Sequence, residues 1–145
     1  MAHENNDRPV RTLHARLADA VAGYRDGIDR TTSETVAAYF ETYRALHDSH
    51  TVELARAMLS SGMKPRSGRS WATLPHTGMM AFRASVDRLD AGVIGAVTRG
   101  ERMLADFYDE ALESVEAGSA MHGVLMRQRA ELADPFDEGS IREAA

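Results

Sequence analysis

The 145-residue sequence predicts an all-α fold, a four-helix bundle with one long connection and an extra short helix. Three observations carry that prediction. Apolar residues recur at helical spacing in four long stretches, and Ala, Leu, Met, Arg and Glu dominate the composition. No segment alternates as a half-buried strand does, and hairpin dipeptides are missing. The chain is one ordinary domain in length, enough to bury a core and too short for two comfortable ones.

Residues 1–9 read as a flexible polar tail ending at Pro9, a residue suited to a helix start. Leu13, Leu17, Ala20, Val21, Tyr24 and Ile28 then follow the helical period, predicting a first helix over 10–30. Thr31 followed by Glu34 matches a capping box, so a second helix is predicted over 32–60, with Gly62 just past its end. Residues 61–75 hold Gly62, Pro65, Gly68 and Pro75 among small and basic residues, which marks a long crossover connection anchored by Trp71 and Leu74. A short helix is predicted over 75–87. Asp90 opens a third main helix to about residue 117, closed by Gly118. Ser119 caps the last helix, 120–134, and Pro135 begins a flexible tail over 135–145. The single bundle domain is thus 10–134.

Charge and composition exclude several classes. The net charge of −5 and the few aromatic residues give no stacking platform or basic stripe for nucleic acid. Cysteine is absent, which removes thiolate chemistry and disulfides and fits a reducing compartment. The first residues lack the apolar core of a signal peptide, and no window offers the roughly 18 apolar residues of a membrane span. These features predict a cytoplasmic protein without nucleic-acid or membrane partners. No phosphate loop, nucleophile elbow or H-E-x-x-H pair occurs.

The sharpest chemical feature lies on the second helix. At about 100° per residue, Val36, Tyr39, Phe40, Tyr43, His47, His50, Leu54, Ala57 and Met58 share one face. Two histidines therefore sit on a core stripe, where polar groups need partners. Spaced i, i+3, they can share a metal ion or a proton network. A metal needs more ligands, for which Glu53 on the same helix and Glu101 on the third are the candidates. The simpler expectation is a pair of satisfied interior imidazoles. Tyr24, Tyr43 and Gln128, all on inward faces, would complete an interior polar network. Arg127, Arg129 and Glu131 read as a solvated surface, and His14 and His122 as surface residues.

Several short motifs run through the chain: Gly23-Tyr24-Arg25, Glu53-Leu54, Arg99-Gly100-Glu101 followed by Tyr108 and Ala111-Leu112, and Arg127-Gln128. In this order, over 13–134, the chain resembles an uncharacterised bacterial family of ferritin-like four-helix-bundle proteins, a domain of unknown function. That resemblance implies a ferritin-like bundle with one crossover. Ferritin-like di-iron proteins carry a Glu on two helices and Glu-x-x-His on the other two. Here His47-Asp48-Ser49-His50 stands at one such motif and Glu101 at a ligand glutamate, while the first helix shows Ala and Tyr, and Gln128 with Glu131 do not restore the last motif. The expectation is a non-catalytic bundle acting as a small structural or interaction protein, self-associating as a homo-oligomer, most simply a dimer, with no cofactor. The alternative is an iron- or zinc-binding bundle with a degenerate site at His47, His50, Glu53 and Glu101.

Overall fold

The computed structural model describes residues 2–64 and 87–133. They form four helices: α1 (Ala2–Arg30), α2 (Glu34–Ser60), α3 (Ala91–Ser114) and α4 (Ala120–Ala133). No strand occurs among the described residues. The short helix predicted over 75–87, the anchoring role of Trp71 and Leu74, and the tail predicted over 135–145 lie outside them or nearly so.

Helix α1 begins at Ala2, ahead of the helix start predicted at residue 10. Pro9 lacks an N–H and gives up one ladder bond, yet the helix runs through it. Two features offset that loss. Asp7 and Arg11 approach to 3.9 Å across the proline, and Val10 and Leu13 are fully buried on either side of the next turn.

The cap of α2 is Ser33 rather than Thr31. The Ser33 hydroxyl accepts from the Val36 N–H at 3.2 Å, and Thr31 Oγ1 accepts from the Ser33 N–H one turn earlier. At the other end Gly62 takes φ +79°, and Met63 N–H reaches the Met58 carbonyl at 2.8 Å while Gly62 N–H reaches Leu59. This is the Schellman closure that a glycine permits. Asp90 caps α3 through the Val93 N–H, and Ser119 caps α4 through the His122 N–H. Helix α3 stops at Ser114, three residues short of the predicted end, because Val115 is extended.

Helix α1 packs on α2 and α3, and α4 packs on α3 and α2, a four-cornered bundle with α2 and α3 across one diagonal. Contacts set the directions. Along α1 and α3, Tyr24 meets Glu101 and Arg16 lies over the Phe107 ring, so the two helices are antiparallel. Along α2 and α4, His50 meets Glu131 and Glu53 meets Gln128, antiparallel again. Since α1 is also antiparallel to α2, helices α2 and α3 run the same way. Thr32, just before α2, bonds Asp87, just before α3, at 3.0 Å, which puts both starts at one end. The start of α3 therefore lies a full length of α2 away from Ser60, about 40 Å at 1.5 Å per residue.

The core joins Leu13, Leu17 and Tyr24 of α1, Phe40, Leu54 and Met58 of α2, Leu104 and Tyr108 of α3, and Leu125 and Leu132 of α4. Burying each large apolar side chain contributes about 1.5–3 kcal/mol. Among the described residues, the polar ones buried with them are His47, His50, Glu101 and Gln128. Among the described residues no helix is long and apolar enough to cross a membrane.

Candidate functional site

Helical spacing puts His47 and His50 one turn apart on the inner face of α2, pointing at different corners of the bundle. His47 faces α3, where its Nε2 lies 2.7 and 2.9 Å from the two carboxylate oxygens of Glu101. Tyr24 of α1 donates its hydroxyl to the same carboxylate at 3.0 Å. All three side chains are essentially sealed from solvent. A buried carboxylate is costly unless hydrogen-bonded. Here three helices converge to bond one.

His50 faces α4. Its Nε2 lies 2.6 Å from Glu131 Oε2. Arg127 donates to the other Glu131 oxygen at 3.2 Å and also bonds Glu53. Gln128, fully buried, donates through Nε2 to Glu53 at 2.7 Å and to the His50 carbonyl at 3.2 Å, while its Oε1 accepts from the Tyr108 hydroxyl at 2.8 Å. The Nδ1 atoms of His47 and His50 have no partner among the described residues. An imidazole with Nε2–H donating and Nδ1 bare suits both places, since a second N–H would be left buried and unpaired.

The aromatic residues wall this network on the α1 side. The Tyr24 ring stacks on Tyr43 at 5.4 Å between centroids and on His47 at 5.9 Å. Tyr43 meets Tyr39 edge-on at 5.3 Å, and their hydroxyls are hydrogen-bonded. Burial raises the Tyr24 hydroxyl pKa well above its usual range, with Glu101 adding to the effect. Burial likewise raises those of Tyr43 and Tyr108. These tyrosines are donors and packing groups at any pH near neutrality.

The sequence-predicted residues thus divide. Tyr24, His47 and Glu101 come together, and Gln128 with His50 and Glu53 forms a second group beside them. The His47 and His50 ring centroids are 6.3 Å apart. Tyr43 contributes a ring rather than a bond to the carboxylates. Glu131 was read as solvated surface; the structure corrects this, because it is the partner of His50. The signal was present in the i, i+3 spacing of Gln128 and Glu131, which carries the polar character of the α4 inner face to its flank. His14 is also corrected: it is half-buried between α1 and α2, close enough to bond the Thr51 backbone.

A metal ion of the kind the resemblance implies needs several ligands converging on one point. The donor set does not fit. Each imidazole Nε2 faces a carboxylate of a different helix, Glu53 turns to Arg127 and Gln128, and no group of three or more His, Asp or Glu among the described residues could hold a metal ion.

The titrating groups give this site a pH signature. Burial lowers the His50 pKa below its ordinary 6.5, against the opposing pull of Glu131. The unfolded chain then takes up that proton first, so stability present above pH 6.5 is lost as pH falls below it. The hydrogen bond from His50 lowers the Glu131 pKa, and that from Gln128 lowers the Glu53 pKa. Their contributions are present above the usual carboxylate range and are lost as pH falls through and below it. All three groups act in the same direction. Urea unfolding at pH 7.5, 5.5 and 4 is expected to show a midpoint falling at each step. Since His14 shifts the same way, the His50→Gln variant is expected to reduce the first step without removing it. An unchanged midpoint down to pH 5.5 would contradict this.

A family model described as Domain of unknown function (DUF2383) matches residues 9–114. It takes in Tyr24, His47, His50, Glu53, Glu101 and Tyr108 and leaves α4, with Gln128 and Glu131, outside. No curated protein and no solved structure matches the chain.

Proposed function

This chain belongs to the family described as Domain of unknown function (DUF2383), and we propose that it is a non-catalytic, ferritin-like helical bundle serving as a small structural or interaction protein in the cytoplasm. One observation carries the reading. The buried or half-buried carboxylates Glu101, Glu131 and Glu53 are each engaged across helices, by Tyr24 and His47, by His50, and by Gln128. Such a network fixes which helix faces which, a use of buried polar groups attested in coiled coils. The single-crossover order, with α2 and α3 parallel, supports the ferritin-like assignment. The absence of cysteine suits a reducing compartment.

The second reading, iron or zinc held by His47, His50, Glu53 and Glu101, draws support from two imidazoles within one interior. It requires Glu101 and Glu131 to leave their present bonds. The test is a thermal melt of untagged protein with and without excess zinc or ferrous ion. A ligand bound only to the folded state at 100 times its Kd adds about 2.7 kcal/mol of stability. The structural reading predicts no rise in midpoint. A rise with stoichiometric metal, abolished in His50→Ala, would replace it with the second.

A further inference from the structure

We propose that a second copy of this chain docks on the outer face of α2, helix against antiparallel helix, on a two-fold axis at Val52. The outer stripe of α2 is unlike the other charged surfaces of the bundle. Ala45, Ser49, Val52, Arg56 and Leu59 follow one another at spacings of three and four and are all exposed. Val52 keeps 48% of its surface in solvent and Leu59 63%. Two large apolar residues two turns apart on one face, with small residues beside them, make a seam rather than a scatter.

The seam is self-complementary. A two-fold axis pairs each residue with the one equally far along the helix on the other side. About Val52, Asp48 then faces the Arg56 position of the second copy, and Ala45 faces the Leu59 position. Opposite charges meet twice, and the most exposed leucine meets the smallest side chain on the stripe. The surface already has the receiving shape: an open concavity of about 470 Å³ is lined by Ala45, Asp48, Ser49, Val52 and Arg56, among others. Among the described residues Asp48 pairs only with Arg44 of its own helix, at 3.5 Å, and Arg56 has no ion-pair partner. Small residues at the crossing let two helix axes approach to about 8 Å, the close end of ordinary packing. No other pairing of α2 with itself needs to be invoked to satisfy both the charge and the size pattern.

This inference rests on the interaction reading above, and its test separates the two. The chain has no cysteine, so a single introduced thiol reports one place. Under mild oxidation the full-length Val52→Cys protein is expected to form disulfide-linked dimers, because the axis brings the position against its own copy. Met126→Cys, exposed on α4, is expected to stay monomeric. Adding Asp48→Arg to Val52→Cys should slow cross-linking about ten-fold, since like charges then face each other. Adding Arg56→Asp as well should restore it, with helical content by circular dichroism unchanged throughout. Equal cross-linking of Val52→Cys and Met126→Cys overturns the proposal. So does a Val52→Cys thiol that a soluble reagent cannot reach in the monomer, which would mean another segment of the same chain covers the stripe. A dimer by light scattering that ignores both charge reversals removes this face and leaves the interaction reading standing. A monomer at every concentration removes self-association along with it.

Discussion

Replacing His47 by leucine is expected to destabilise the protein by about 3 kcal/mol, the cost of leaving a buried carboxylate short of a hydrogen-bond donor. The size-matched side chain fills the space, so the loss is not a cavity effect. It arises because Glu101, 1% exposed, keeps only the Tyr24 hydroxyl of its two donors. A core imidazole bonded to groups that can find other partners would give a neutral or stabilising result; here the satisfaction is mutual and the partner is a buried carboxylate. The converse change, Glu101→Leu, leaves a neutral imidazole N–H and a phenol O–H unpaired, each worth about 1–3 kcal/mol. Together they come to about 2–6 kcal/mol, so it should cost as much as His47→Leu or more. Urea unfolding at neutral pH measures both, and a loss below about 1 kcal/mol in either variant would contradict the shared bonds.

The second large effect is at Gln128. This fully buried amide joins three helices through three hydrogen bonds: Tyr108 of α3 donates to it, and it donates to Glu53 and to the His50 carbonyl of α2. Gln128→Leu is expected to cost about 2–3 kcal/mol, because the Tyr108 hydroxyl and the His50 carbonyl lose their partner while Glu53 can turn to water. Tyr108→Phe alone should cost about 1 kcal/mol, the net worth of one hydrogen bond. In the Gln128→Leu background it should cost almost nothing, since the hydroxyl it removes is already unpaired. Additive losses in the double variant would mean the two groups are not coupled.

The four helices were legible because helical periodicity and capping are local. Asp90, Ser119 and Gly62 mark their boundaries through bonds made within a few residues, and the structure places those bonds there. The start of α1 was not legible, because Pro9 is a helix-start signal and only the buried Val10 and the Asp7–Arg11 pair show why the helix extends behind it. The inward placement of His47, His50, Tyr24 and Gln128 also followed from periodicity. Their partners did not. A helical stripe says which face is buried and nothing about which helix lies against it. Glu53 and Glu101, grouped from the sequence as possible ligands of one ion, belong to different corners. Glu131 looked like solvent surface because it stands on the flank of α4, and it acquires a role only once α2 is known to pack there.

The most direct test of the account is the coupling energy between His47 and Glu101, from the unfolding free energies of wild type, the two single leucine variants and the double. The account predicts that the double His47→Leu/Glu101→Leu protein loses less than the two single losses added, with a coupling of about 2 kcal/mol or more, since replacing both partners by apolar groups leaves only the Tyr24 hydroxyl unpaired. Additive losses, with a coupling near zero, would show that the imidazole and the carboxylate do not depend on each other, and the polar interior would lose its role as the tie between helices.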